Sequence, residues 1–271
     1  MKNREELELI AKRMRLNIIK MTYRSGMKGA HLGGSMSVVE ILSVLYGNVM
    51  KYDVVNYNAD ERDRLIISKA HAAVALYAAL YEVGFLSAED IDCAMHGESQ
   101  FFEHPKMSLR HGIEFSGGSL GQGLSLGMGT ALGLIKKNNL RSKIFVILGD
   151  GECDEGQIWE AASAIIHYKL NNLTVIIDAN GMQYDGESDS IMNLGNLELR
   201  WSSLGYHVEV IDGHNVGEIQ DALCRELDIP KVVIAKTIKG KGVRFAENVL
   251  SWHTGRLTDE LYQEAIRDIN D

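Results

Sequence analysis

The sequence predicts an α/β fold, a parallel sheet with helices on both faces. Runs such as "KIFVILG" and "LTVIIDAN" are apolar almost throughout, as strands covered on both sides are. They alternate with segments of helical period along the whole chain. No internal repeat, low-complexity tract or Pro/Ser-rich linker divides that alternation, so residues 1–271 are expected to form one domain.

Taken in order, Leu7, Ile10, Met14, Ile18 and Met21 recur three or four residues apart, the stripe of an amphipathic helix that stops near Gly26 and Gly29. "SMSVVEILSVLYG" is expected to be a second helix with Ser35 or Ser37 as its N-cap. "RLIIS" (64–68) is a short strand running into the Ala-rich helix "AHAAVALYAALYEVG". Residues 96–118 have no clean period and read as a long loop, a length at which loops are often functional. "SLGQGLSLGMGTALGLIKK" is a helix whose Gly121, Ser125, Gly129 and Gly133, spaced by four, either admit a neighbouring subunit or pack tightly inside. Then come the strand "KIFVILG", a helix over 156–169 and the strand "LTVIIDAN". A strand at "YHVEVID", a helix over 215–227, the strand "KVVIAKT" and a helix over 258–269 complete the pattern.

With 37 acidic against 28 basic side chains the net charge is -9, and no basic block occurs, which works against a broad nucleic-acid or anionic-membrane footprint. The start, "MKNREELELIAKRMRL", mixes charge into its apolar residues and is neither a secretory signal nor a membrane span, so a cytoplasmic location is expected. Cys93, Cys153 and Cys224 are odd in number, far apart and in no C-x-x-C spacing, which argues against a disulfide framework or structural zinc and for buried thiols.

In a doubly wound sheet, ligands bind beyond the carboxyl ends of the strands, where Asp150 and Asn180 fall. The helix between them turns Ile158, Ala161, Ala162 and Ile165 to one side, so the two strands should be parallel neighbours joined by a right-handed crossover. A carboxylate, an amide oxygen and the carbonyls near Gly181 and Met182 make a hard oxygen site suited to Mg²⁺. Gly149 and Gly151 let the backbone approach a phosphate. The G-D-G-E-C-D run lacks the third glycine of a dinucleotide fingerprint, and no Walker lysine follows. Singly, Asp150 reads as a helix cap and Asn180 as a turn residue; the complete strand-helix-strand unit between them favours the joint reading.

G-D-G followed about 30 residues later by Asn resembles the signature of thiamine diphosphate enzymes. That resemblance implies Asp150, Asn180 and the Met182 carbonyl as Mg²⁺ ligands and the Gly151 amide facing phosphate. Further motifs narrow the resemblance to transketolases. "GAHLGGSMS" is similar to the segment that places a channel histidine, here His31, and "SKAHAAVALYAAL" to the junction whose histidine, here His71, reaches the cofactor. "FFEHPKMSLRHGIEFSGGSLGQG" resembles the segment with another channel histidine, His104, and a turn whose backbone at Gly118 and Leu120 meets the aminopyrimidine ring. "VLSWHTGRL" matches a late histidine, His253. The likeness spans essentially the whole chain.

What the resemblance implies is transfer of a two-carbon ketol unit from a ketose phosphate to an aldose. The cofactor supplies the nucleophile and electron sink. His31, His104 and His253 are the expected acid-base groups, since imidazole titrates near neutrality, and His71 and His253 also hold cofactor. Glu155 reads either as an acid favourable in a helix's first turn or, by the resemblance, as a catalytic and cofactor-binding carboxylate bonded across a subunit interface. Lys239 and Lys241 either favour anions at the channel mouth or, as lysines of a glycine-rich loop more often do, are simply solvated, and His96, His111, His167, His207 and His214 read as ordinary histidines.

Two departures matter. Leu32 and Ser119 stand where the family has proline, which puts the usual pentose phosphate in doubt. Only 18 residues follow His253, without the pyrimidine-binding domain that carries the activating glutamate. The chain therefore resembles the amino-terminal half of a split transketolase, expected to pair, two copies with two, with a carboxy-terminal partner chain. Ketol or acyl transfer on a modified sugar of a cell-surface pathway, or cofactor binding without catalysis, are the other readings.

Overall fold

The computed structural model describes residues 1–97 and 99–271; Glu98, within the loop expected over 96–118, lies outside them. The chain runs α1 (Arg4–Arg24), α2 (Leu32–Met36), α3 (Val39–Val44), β1 (Arg64–Ile67), α4 (Ala73–Glu82), α5 (Ala88–Cys93), α6 (Gln122–Lys136) and β2 (Ile144–Gly149). It continues through α7 (Gly156–His167), β3 (Leu173–Ala179), α8 (Ser188–Ile191), α9 (Leu197–Ser203), β4 (His207–Asp212), α10 (Val216–Cys224), β5 (Lys231–Lys236) and α11 (Asp259–Asn270). The strands form one parallel sheet in the order β1-β2-β3-β5-β4.

The pleat explains why the central strands are apolar at every position. Phe145, Ile147, Ile176, Val233 and Ala235 meet the helices α1, α3, α4 and α10 on one face. Val146, Leu148, Val175, Ile177, Val232 and Ile234 alternate with them and meet α6, α7 and α9 on the other. Asp150 and Asn180 fall just past β2 and β3, which are parallel neighbours as expected. Helix α6 lies close to the sheet because it has no side chain there. A Cβ on Gly127 would come within 2.5 Å of Val146, and one on Gly123 equally close to Ser68.

Several expectations are corrected. The predicted helix over "SMSVVEILSVLYG" is two short helices and a π-type turn at Leu45–Val49. Neither serine is its N-cap: Ser35 is inside α2, and Ser37 ends α2 and turns its hydroxyl to Asp178, 2.7 Å away. Of the cysteines only Cys153 is buried; Cys93 and Cys224 are exposed. Gly129 and Gly133 face open space rather than internal packing. Helix α10 ends at Cys224, three residues before the expected 227. There Lys231 Nζ donates to the carbonyls of Ala222, Leu223 and Arg225 at 2.6–3.2 Å, a charge placed where helix carbonyls lack partners.

Across the first face a buried polar network joins elements far apart in sequence. The Arg15 guanidinium on α1 contacts Glu40 on α3 at 2.7 Å, and His214 Nδ1 reaches the same carboxylate at 3.0 Å. His214 Nε2 accepts from the Ile238 amide (2.8 Å) and Arg15 Nε donates to the Lys241 carbonyl (3.0 Å), so the network also holds the 237–242 loop. Burial alone would raise the Glu40 carboxyl, but the bonds from His214 and Arg15 hold it at about 2. A depressed folded-state pKa gives stability that is present above the unfolded value near 4.5 and lost as pH falls towards 2. Glu40→Gln should thus cost about 3 kcal/mol at neutral pH. Urea unfolding at pH 7 and pH 3 should show the gap between wild type and variant narrowing at the lower pH; a constant gap would refute the charge-pair account.

Candidate active site

A cavity of about 250 Å³ opens at the carboxyl ends of β1, β2, β3 and β5. It is lined by His31, His71, His104 and His253, by Gly118, Leu120, Asp150, Gly151, Asn180 and Met182, and by Lys69, Glu152, Gln183, Tyr184 and Lys239. The histidines come from four separate segments, yet the His31 ring centroid lies 5.4 Å from His71, 6.0 Å from His104 and 5.3 Å from His253. His71 and His253 stack at 5.3 Å. Glu155 is apart from this group: it is exposed, sits at the start of α7 without a capping bond, and lies against Gly121.

Asp178, which no motif in the sequence marks, anchors the floor. It is fully buried at the end of β3, pairs with the equally buried Lys69, and accepts from Ser37 Oγ (2.7 Å), Thr237 Oγ1 and Asn180 Nδ2 (3.0 Å). Burial would raise its carboxyl, but the Lys69 charge and these donors bring it below the usual value. The consequence for Asn180 is an assigned orientation: its NH₂ faces Asp178 and its Oδ1 faces the Met182 amide at 3.1 Å. Glu152, also buried, ties the glycine-rich turn to the sheet by accepting from Ser68 Oγ, the Gly121 amide (2.8 Å) and the Gly149 amide (3.1 Å).

Asp150 accepts from the Gly151 amide at 2.9 Å and the Gly181 amide at 2.6 Å. Burial, with Asp178 nearby, pushes its carboxyl up to about 6, so an anionic Asp150 calls for a cation. Among the described residues no cluster of three or more His, Cys, Asp or Glu side chains has metal-holding geometry. The donors present are instead one carboxylate, one amide oxygen and one backbone carbonyl, which fit a hard divalent cation that completes its shell with water and ligand phosphate. Gly151 is required by packing, because a Cβ there would sit 2.5 Å from the Gln183 side chain.

Lys239 corrects the expectation of a solvated lysine: it is 2% exposed. Its Nζ donates to the Met182 and Gln183 carbonyls at 3.1 Å each and to His253 Nδ1 at 2.9 Å. Among the described residues no carboxylate pairs with it directly, and burial lowers it to about 8. A buried ammonium held only by neutral acceptors suits an anionic ligand. Since an ammonium only donates, His253 Nδ1 must be bare and its proton on Nε2. Burial and the Lys239 charge accordingly press His253 down to about 3, and burial with Lys69 holds His71 well below its ordinary value. The site thus offers neutral imidazoles, oxygen donors for a cation and a buried ammonium.

Comparison with known proteins places the chain in a family. Residues 9–268 match the family described as transketolase, thiamine diphosphate binding domain. The chain is 41% identical over 242 residues to the 6-deoxy-6-sulfo-D-fructose transketolase subunit SqwG of Clostridium sp. (strain MSTE9), covering 88% of each chain. It is 36% identical over 271 residues to one of the subunits of apulose-4-phosphate transketolase from Phocaeicola vulgatus, covering 98% of this chain and 95% of that one. The crystal structure of transketolase from Campylobacter jejuni superimposes with a TM-score of 0.91 at 30% identity, over 99% of this chain but 43% of that longer one. The chain therefore belongs to the transketolase family and is built on its thiamine diphosphate-binding domain.

Proposed function

We propose that this chain is the cofactor-diphosphate half of a two-chain transketolase that moves a two-carbon ketol unit from a ketose phosphate, or a ketose with another terminal anion, to an aldose. The observation that carries the reading is the convergence of four histidines, a buried ammonium and three oxygen donors on one cavity. The extent of the matches supports the split: the chain spans 95% of the Phocaeicola vulgatus relative, itself named as a subunit, but 42% of human transketolase. The relatives named as subunits carry the names of unusual sugars, in keeping with Leu32 and Ser119 in place of the family's prolines.

In this reading Asp150, Asn180 and the Met182 carbonyl hold Mg²⁺, while Lys239, His71 and the Gly151 amide receive the diphosphate. That amide now donates to Asp150 and would be shared, and the Lys239 ammonium, now on the Met182 carbonyl, would turn to the diphosphate and leave that carbonyl to the cation. Gly118 and Leu120 give their backbone to the aminopyrimidine, and the bound thiamine diphosphate supplies a nucleophilic carbon and an electron sink. His31, His104 and His253 move protons at the donor hydroxyl and acceptor aldehyde. Exposed Glu155 bonds to the neighbouring chain. Two copies of this chain assemble with two of a carboxy-terminal partner in the cytoplasm. Among the described residues no helix is long and apolar enough to cross a membrane.

The test mixes the purified chain with a carboxy-terminal transketolase chain, Mg²⁺ and thiamine diphosphate, and offers ketose phosphate and 6-sulfo-ketose donors with several aldoses. Turnover is expected from the mixture and from neither chain alone. Ketol transfer by this chain alone would overturn the split; cofactor binding without turnover on any sugar would favour a binding module.

A further inference from the structure

His31 and His253 both line the cavity with their rings edge to face at 5.3 Å, but different neighbours hold their Nδ1 atoms. At His253 that neighbour is the Lys239 ammonium, a donor. At His31 it is a carboxylate: Glu103 Oε1 lies 2.8 Å from Nδ1. The approach is short although the N–H line is off axis, so in this conformation it is a charge contact rather than a straight hydrogen bond. A carboxylate carries no proton to offer, and its charge 2.8 Å away repels the partial negative charge of a bare Nδ1 and favours the tautomer with the proton there, so Nδ1 carries the proton. The ring nitrogen left for substrate is an unprotonated Nε2.

Glu103 is well placed to hold this arrangement because the backbone is pinned on both sides of it. Phe101 is buried edge-on to Tyr77 at 5.4 Å, and Tyr77 Oη donates to the Phe102 carbonyl at 2.8 Å. Two residues beyond Glu103, the Pro105 carbonyl accepts from the Gly117 amide at 3.0 Å.

We propose that Glu103 is a positioning residue for His31, fixing the Nδ1–H tautomer so that Nε2 is the proton acceptor of the cavity, beside His253 with its Nε2–H donor. The inference rests on the transketolase reading for its substrate and not for its geometry. In the proton step a substrate hydroxyl gives its proton to His31 Nε2, leaving an alkoxide oxygen and an imidazolium whose Nδ1–H remains against Glu103. Return of that proton to product restores the neutral ring. Glu103 changes its protonation at no point, acting as an orienting carboxylate beside a histidine.

The remaining groups around His31 all work against its protonation. Burial lowers it most, Glu103 opposes burial, and His104, Lys239 and Lys69 lower it again, with the His71 and His253 rings completing the enclosure. Loss of Glu103 should therefore move the His31 midpoint to lower pH and free its tautomer.

The test uses the full chain with ¹⁵N-labelled histidine, and His31→Asn to assign the ring signals. Wild type should show Nδ1 protonated and Nε2 bare near pH 7. Glu103→Ala should lose that preference and Glu103→Gln should lower the midpoint, while Glu103→Asp should retain both partly, all with unchanged melting temperature. In the assembled two-chain enzyme, Glu103→Ala should reduce kcat/KM by roughly 10- to 100-fold, with the acidic limb of its pH profile shifted down. A wild-type His31 protonated on Nε2, or an Ala variant with unaltered ring signals, overturns the proposal. Correct ring signals without turnover on any sugar would count against the transketolase reading instead.

Discussion

Asp178→Leu is expected to destabilise the chain by about 3–5 kcal/mol, because among the described residues Asp178 is the carboxylate paired directly with Lys69, and its loss leaves that buried ammonium without its ion-pair partner. Lys69→Met should cost a similar amount by the converse route. The double variant should be less damaging than the sum of the two, since two apolar side chains in contact remove both desolvation problems together. Denaturant unfolding of the four proteins gives the coupling energy directly, and additive losses would mean that the pair is not a unit. The single variants should also impair the site before they unfold it, because Asn180 takes its orientation from Asp178.

The second large effect concerns the ligand rather than the fold. Asp150→Ala should weaken Mg²⁺-dependent thiamine diphosphate binding by roughly 100-fold or more, since the loss of outer partners of a metal ligand alone costs 10- to 100-fold. Its melting temperature should barely fall. The carboxylate is buried at a cost that has raised it to about 6, and its removal relieves that cost while losing two amide bonds. Asn180→Ala should behave in the same direction. Calorimetric titration with Mg²⁺ and thiamine diphosphate reads the effect; unchanged affinity in both variants would return Asp150 and Asn180 to a helix start and a turn.

Much of the architecture was legible because the signals were local. The strands around Val146 and Ile176 announced themselves by continuous apolar runs, and Met14 and Ile18 by helical spacing. The missed helices were short or polar. Helix α5 has a capping box from Ser87 to Asp90 that could have been read, while α9 depends on the Asn196 cap and the burial of Trp201, a tertiary event. Ser37 looked like a cap because serine usually is one; its real partner, Asp178, is 141 positions away. Lys69, Lys239 and Glu103 were hidden in the same way, because their partners are met only when the chain folds. Nothing beside Lys239 in the chain reveals that it is buried against His253, and Glu103 reads as one more acid until the loop folds over His31. The histidines were found because each sits in a recognisable motif, whereas the groups that set their protonation come from chain crossings that no local pattern encodes.

The strand order also sets a timetable for synthesis. Among the described residues β4 pairs with β5 and with no other strand, and β5 lies between it and β3. As the chain emerges from the ribosome, β1, β2 and β3 can zip in sequence, but β4 arrives with its only docking edge still unmade. It must wait through α10 for residues 231–236, and the 237–242 loop that delivers Lys239 to the cavity follows later still. Long-range parallel pairing of this kind is slow to close, so the cavity is among the last parts of the molecule to form, and until the 237–242 loop and His253 have followed β5 the emerging chain has a cofactor motif but no complete pocket in which to use it.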